Sequence, residues 1–171
     1  MCLMVHTIQS HYYLAYFIFF SALIVTIRSD METMLISRFV SIFLVPLGIA
    51  LSYFGYLPIT GAQSIIGALF GYGSLYAVSW FFYKFTEREG LGEGDIELLC
   101  FIGSFLGIYG AWVTLILGSF SGSLFSIAYL LIYKKTKSQR IAFGPFLALG
   151  AISYALYAPQ LLYLLFGVTH F

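Results

Sequence analysis

Charged side chains are what this sequence has least of. Of 171 residues, eight are Lys or Arg and seven are Asp or Glu, a share of 9%. A soluble domain carries about 25%. A water-facing exterior cannot be clothed with so few polar groups when 61% of the chain is apolar, so the surface must face lipid. The net charge of +1 supplies no basic field for nucleic acid, which excludes that class of partner. Cysteine is nearly absent as well: Cys2 and Cys100 lie too far apart in sequence to imply a disulfide framework or a zinc cluster. No Lys or Arg precedes Arg28, so the first apolar segment lacks the positive start of a secretory signal peptide and is expected to be retained.

The few charges are grouped. Four fall between Arg28 and Arg38, seven between Lys84 and Glu97, and four between Lys134 and Arg140. They separate four uncharged stretches, residues 1–27, 39–83, 98–133 and 141–171. One helical crossing of a bilayer takes about 20 apolar residues, so the stretches accommodate one, two, two and one crossings. Placing an acid or base at a helix centre costs about 2.5 to 3.5 kcal/mol, and six helices avoid that cost throughout. The expected fold is therefore all-α, a polytopic bundle of about six transmembrane helices in a single membrane-embedded domain spanning residues 1–171. The helices are placed near 12–27, 39–56, 62–83, 96–109, 111–133 and 146–166. Turns are expected at Gly55-Tyr56-Leu57-Pro58 through Gly61, and at Tyr109-Gly110.

Six crossings bring all three charged windows to one face, and the positive-inside rule makes that face cytoplasmic, with both termini outside. His6, His11 and His170 then lie a bilayer away from every acid. That argues against a histidine base and against a histidine-rich metal site, and no metal or cofactor is expected. Lys134, Lys135, Lys137 and Arg140 are expected to anchor topology at lipid headgroups, with Arg88 the one base open to substrate contact. Glycines four apart at Gly67 and Gly71, Gly103 and Gly107, and Gly118 and Gly122 are expected to let helices approach closely.

Any chemistry then belongs to carboxylates. Asp30 and Asp95 come from distant parts of the chain to the same membrane depth. Two carboxylates held together share a proton, so that one acts as base and the other as acid upon a water. Asp95 is equally a suitable first-turn acid for its helix, and Asp30 a partner for Arg28, so position does not decide between these readings. Glu32 and Glu97 each follow an aspartate by two residues. On a helix that offset turns a side chain by about 200 degrees, so the aspartates are preferred. The local sequence adds to this. Asp95 ends the run Glu89-Gly90-Leu91-Gly92-Glu93-Gly94-Asp95, whose alternate glycines leave an open backbone beside the carboxylate.

Gly92-Glu93-Gly94-Asp95 at the start of a transmembrane helix resembles the signature of the Gly-x-Gly-Asp intramembrane aspartyl proteases. The wider run from Arg88 through Asp95-Ile96-Glu97-Leu98-Leu99, followed by Gly103 and Leu106-Gly107, is similar to the bacterial type IV prepilin peptidases. Asp30-Met31-Glu32-Thr33-Met34-Leu35-Ile36 resembles that family's first aspartate motif, and Phe143-Gly144-Pro145-Phe146-Leu147-Ala148 its late Phe-Gly-Pro segment. The resemblance implies a catalytic pair, Asp30 and Asp95, with Gly92, Glu93 and Gly94 as motif backbone. It also implies prepilin or secretion-pseudopilin substrates with a hydrophobic N-terminal helix, cut after a glycine at the cytoplasmic face of the inner membrane.

Glu97 stands where the family has a lysine, and Ser37 where it has a proline. The N-terminal domain with paired Cys-x-x-Cys motifs is not matched, so N-methyltransferase activity is not expected. Within the same class, an archaeal-type preflagellin peptidase or another short-form pilin peptidase is the alternative. A proton-coupled carrier and an inactive assembly factor are the non-enzymatic ones. A carrier is disfavoured because carriers hold their acids near the midplane.

Overall fold

A computed structural model describes residues 12–33, 38–86, 92–133 and 142–166. They form five α-helices: α1 (Tyr13–Thr33), α2 (Arg38–Tyr53), α3 (Gly61–Thr86), α4 (Glu93–Tyr133) and α5 (Gly144–Phe166), with no strand among the described residues. The all-helical form follows from the environment that the composition demands. In hydrocarbon every backbone N–H and C=O must be satisfied within the segment, and a helix does this by itself. Three of the helices, α3, α4 and α5, are long and apolar enough to cross a membrane, while α1 and α2 contribute shorter apolar stretches.

Two boundaries differ from expectation in ways that matter. α1 runs on to Thr33 rather than stopping near Ile27, so Asp30 rides on the helix and not in the loop beyond it. The fourth and fifth expected helices are joined in one 41-residue element, α4, interrupted at Gly107 (φ 72°, ψ −174°). The break therefore falls at Gly107, not at Tyr109-Gly110. A positive φ at this value is open to glycine and strained for other residues, which explains why the chain turns there.

The interruption is a reversal, as the neighbours of the two arms show. Along α3, Gly67 abuts Gly103 and Gly107, and Gly71 abuts Leu99, so the first arm of α4 (93–106) runs antiparallel to α3. The second arm (108–133) runs with α3: Trp112 packs at a tilt on Phe70, with ring centroids 5.5 Å apart, and Leu75 and Val78 face residues 115–127. Against α5 the second arm is antiparallel, pairing Gly110 with Tyr154, Thr114 with Gly150, and Gly118 with Leu147. At about 1.5 Å per residue α4 would be about 61 Å long if straight, twice the hydrocarbon thickness. Folded back on itself, it supplies two packed antiparallel arms.

Close approach of backbones holds the centre together. A Cβ at Gly67 would strike the Gly103 carbonyl, and one at Gly71 the Leu99 carbonyl. In lipid, where apolar surface gains little from association, such contacts and interhelical hydrogen bonds supply the attraction. Ser64 Oγ donates one such bond, 2.6 Å, to the Ser104 carbonyl. Phe19 of α1 packs on Phe101 and Phe105, with centroids 5.4 and 5.3 Å away. Gly48 of α2 lies against Ser104 and Phe105. The first arm is thus covered by three helices, and every residue from Phe101 to Gly107 is buried.

Residue partners also order the bundle end to end. Tyr154 lies within electrostatic reach of Tyr16 and Tyr109, which puts the start of α1 beside the Gly107 reversal. Thr60 and Gln63 cap α3 at that same end: the Thr60 N–H donates to Gln63 Oε1 (2.9 Å), and the Gln63 N–H to Thr60 Oγ1 (3.3 Å). The end of α1, the end of α3 and the start of α4 consequently share the opposite end, where Lys84 Nζ sits 5.1 Å from the Trp80 ring centroid. His6, His11, His170, Cys2, Arg88, Lys134, Lys135, Lys137 and Arg140 lie outside the described residues.

Candidate active site

The Gly-x-Gly-Asp run straddles the start of α4. Gly92 precedes the helix and is exposed, Glu93 opens it and is exposed, Gly94 is half-buried, and Asp95 is buried at 8% exposure. The Asp95 N–H donates to the Gly92 carbonyl at 3.2 Å, closing the first turn. Carboxylates in a first turn are favoured by the free N–H groups and the positive end of the helix dipole. The local sequence therefore favours an acid at this bundle end. Asp95 Oδ2 lies toward Gly92: a Cβ built there would stand 3.4 Å from it. Ile96, Leu98 and Leu99 next to it are buried and apolar.

Asp30 reaches the same end from the other side of the chain. From the Phe19 contact with Phe101 and Phe105, Asp95 lies six to ten residues back along the first arm, about 9 to 15 Å, and Asp30 lies eleven residues on along α1, about 16 Å. The two helices run in opposite directions, so both aspartate backbones lie at one end within roughly a helical turn of the same depth. The structure describes the backbone of Asp30 and not its side chain.

Glu97 was expected to turn away from the site. Its Oε2 is buried, and the residue sits one turn before the half-buried Cys100. A helix covered on several sides has no outward face, so the two-residue offset moves Glu97 from one interior surface to another. Glu93, by contrast, is exposed, and the side chain of Glu32 lies outside the description. Among the described residues, no three His, Cys, Asp or Glu side chains are grouped to hold a metal ion.

Two further features were not visible from the sequence. Ser64 and Ser104 are fully buried, and their hydroxyls bond main-chain carbonyls, Ser104 and Phe101 respectively; an isolated serine in an apolar run gives no warning of such a bond. A cavity of about 650 Å³ also opens between α3, the second arm of α4 and the start of α5, lined by Leu75, Val78, Ser119, Gly122, Phe143 and Phe146 among others. Gly144 and Phe146 of the expected Phe-Gly-Pro segment thus start α5 beside this cavity. Leu75 is one turn beyond Gly71 on α3, and the antiparallel register that pairs Gly67 with Gly103 and Gly71 with Leu99 carries Leu75 on to Asp95.

Comparison with known proteins converges on the same segment. The chain is 38% identical over 96 residues to the prepilin leader peptidase/N-methyltransferase of Aeromonas salmonicida, covering 56% of this chain and 32% of that protein. It is 37% identical over 109 residues to the protein of the same name from Pseudomonas putida, covering 61% and 36%. To that of Pectobacterium carotovorum it is 29% identical over 135 residues, covering 79% and 48%. The chain spans about a third to a half of the length of these relatives. No solved structure matches it. Residues 17–127, which include both aspartates and the whole of the first arm, match the type IV leader peptidase family, and the chain belongs to that family.

Proposed function

We propose that the protein is a membrane aspartic endopeptidase that removes the leader from type IV prepilins or type II secretion pseudopilins, with Asp30 and Asp95 as the catalytic pair. The observation that carries this reading is the burial of Asp95 in the first turn of α4, at the bundle end that the last turn of α1 also reaches with Asp30. The family membership and the names of the relatives supply the substrate class. In this reading residues 1–171 form a single membrane-embedded protease domain in the inner membrane, with the charged segments and the site on the cytoplasmic side and both termini outside. Methyl transfer, the second activity in the relatives' names, forms no part of it.

The chemistry asks two things of the pair. One carboxylate, ionised, takes a proton from a water as the water oxygen bonds to the scissile carbonyl carbon; the other, protonated, gives its proton to the carbonyl oxygen. The tetrahedral diol then collapses. The C–N bond breaks, the leaving amine takes up a proton from the carboxyl that gained one from water, and the second hydroxyl proton returns to its carboxylate. Site and scissile bond must meet where water is available, and a first-turn aspartate at the end of an apolar bundle satisfies this. The substrate's own apolar helix lies in the bilayer and presents its leader junction at the same depth.

Co-expression of a prepilin with the wild-type protein, Asp30→Ala and Asp95→Ala tests the proposal. The wild type is expected to shorten the prepilin by its leader, and both variants to leave it full length. Processing that survives either substitution overturns the pairing.

A further inference from the structure

The reading above makes the position of Asp95 critical, yet Asp95 sits in the first turn of a helix whose preceding sequence is rich in glycine. What holds that helix start in place along the axis is found on α3. Gly71 meets the first arm of α4 through backbone alone: a Cβ there would strike the Leu99 carbonyl, lie 2.7 Å from the Leu99 carbonyl carbon and 3.0 Å from the Cys100 nitrogen. Backbone contact has no rotamer to adjust, so it fixes the separation and the axial register of the two helices more tightly than side-chain packing can. Leu99 is one turn from Asp95, about 6 Å along the axis. Two turns farther from Gly71, Ser64 Oγ bonds the Ser104 carbonyl at 2.6 Å with both serines fully buried, a directional tie that resists sliding.

We propose that Gly71, through its contact with the Leu99 backbone, and Ser64, through its bond to the Ser104 carbonyl, are positioning residues that set the depth and tilt of the first arm of α4 and thereby hold Asp95 in catalytic register with Asp30. The inference rests on the catalytic reading of the aspartates. It accounts for a difference between two neighbours on α3: Gly71 is buried against α4, whereas a Cβ at Gly73 would meet nothing within 4 Å. Glycine is thus sterically required at one position and not at the other. Displacing a reacting group by about 1 Å can cost on the order of a hundred-fold in rate, and a Cβ at Gly71 demands a displacement of that size. Because neither residue touches substrate, the loss belongs in kcat and not in KM.

The test measures leader removal from a purified prepilin by detergent-solubilised full-length protein. It compares wild type, Gly71→Ala, Gly73→Ala and Ser64→Ala, with Asp95→Asn as a control and rates normalised to folded protein. Gly71→Ala is expected to lower kcat by at least about ten-fold and Ser64→Ala by about three-fold or more, with KM within about two-fold of wild type, while Gly73→Ala keeps both constants. Wild-type kcat in both Gly71→Ala and Ser64→Ala overturns the proposal, as does a loss that disappears on normalisation to folded protein, which marks simple packing. Should Gly71→Ala fail to accumulate in the membrane, Ser64→Ala decides alone by the same criterion. An inactive wild type or an active Asp95→Asn would instead overturn the catalytic reading, so the two failures are told apart.

Discussion

Asp95 Oδ2 lies over Gly92 so that a Cβ there would make van der Waals contact with the carboxylate oxygen, at 3.4 Å. Gly92 is itself exposed, so a substitution there removes no core packing and acts on the carboxylate directly. At 3.4 Å a Cβ makes ordinary van der Waals contact and leaves Asp95 in place, so Gly92→Ala is expected to keep the rate of leader cleavage within about two-fold of wild type. The helix start, which tolerates glycine better than alanine at its boundary, loses at most about 1 kcal/mol. A larger side chain, in Gly92→Leu, carries atoms beyond that contact and is expected to lower the rate by about three- to ten-fold without further effect on the thermal midpoint. Cleavage rates and thermal unfolding in the same detergent check both halves.

Much of the fold was legible because charge is so costly in lipid. Three charged windows alone divide the chain into stretches that match α1, the α2–α3 pair, the two arms of α4, and α5. The Gly-x-Gly-Asp motif was legible for a different reason: Gly92, Gly94 and Asp95 are local in sequence. The reversal was misplaced at Tyr109-Gly110 because the dipeptide looks like a turn, whereas tertiary contact decides. Gly107 is packed near Ile59 of the α2–α3 connection and Gln63 in the first turn of α3, and has the positive φ. Glu97 was misjudged because the offset rule assumes a helix with one buried side. Every residue from Phe101 to Gly107 is buried, so the first arm of α4 is central and interior on all sides, whereas the second arm exposes Trp112, Ile116, Phe120 and Leu124. Ser64 and Ser104 gave no signal at all, since their importance lies in a contact 40 residues apart in sequence.

The pair should impose a two-sided pH dependence. Below the optimum both carboxyls carry protons and no base remains to take one from water; above it both are ionised and no acid remains to protonate the carbonyl oxygen. Initial rates of leader removal across pH are expected to fall on both sides of a single maximum, as a property of the couple and not of either residue. Asp95→Asn leaves shape and hydrogen-bonding capacity largely intact but removes the exchangeable proton, and is expected to cost about 100- to 10,000-fold at every pH. A rate that keeps rising toward high pH would point to a different nucleophile activation.

Gly107 and Gly73 should respond to alanine with opposite signs. At Gly107 a Cβ has room, its nearest neighbour being Ile59 Cγ2 at 3.6 Å, so the cost is the glycine-only backbone conformation alone, about 1 to 3 kcal/mol. For a domain of this size that corresponds to a fall of about 2 to 12 °C in the unfolding midpoint. At Gly73, inside α3 and open to its surroundings, alanine gains helix propensity of up to about 1 kcal/mol and is expected to raise the midpoint. Thermal unfolding of the two variants side by side checks the reversal at Gly107 without reference to activity.

The return of α4 also fixes which residues share a side of the membrane. If α3 and the first arm of α4 each cross, Tyr56 and Tyr109 lie on the side opposite Thr86 and Glu93, and the positive-inside rule assigns the latter pair to the cytoplasm. Single cysteines at these four positions, in a background with Cys2 and Cys100 replaced by serine, distinguish the arrangements in intact cells and in inverted vesicles. A membrane-impermeant maleimide is expected to label Tyr56→Cys and Tyr109→Cys from outside, and Thr86→Cys and Glu93→Cys only from the cytoplasmic side. Labelling of Glu93→Cys from outside would place Asp95 away from the leader junction of a prepilin, whose cleavage the charged face is proposed to carry out. The same outcome would therefore remove the basis for pairing it with Asp30 as a cytoplasmic site.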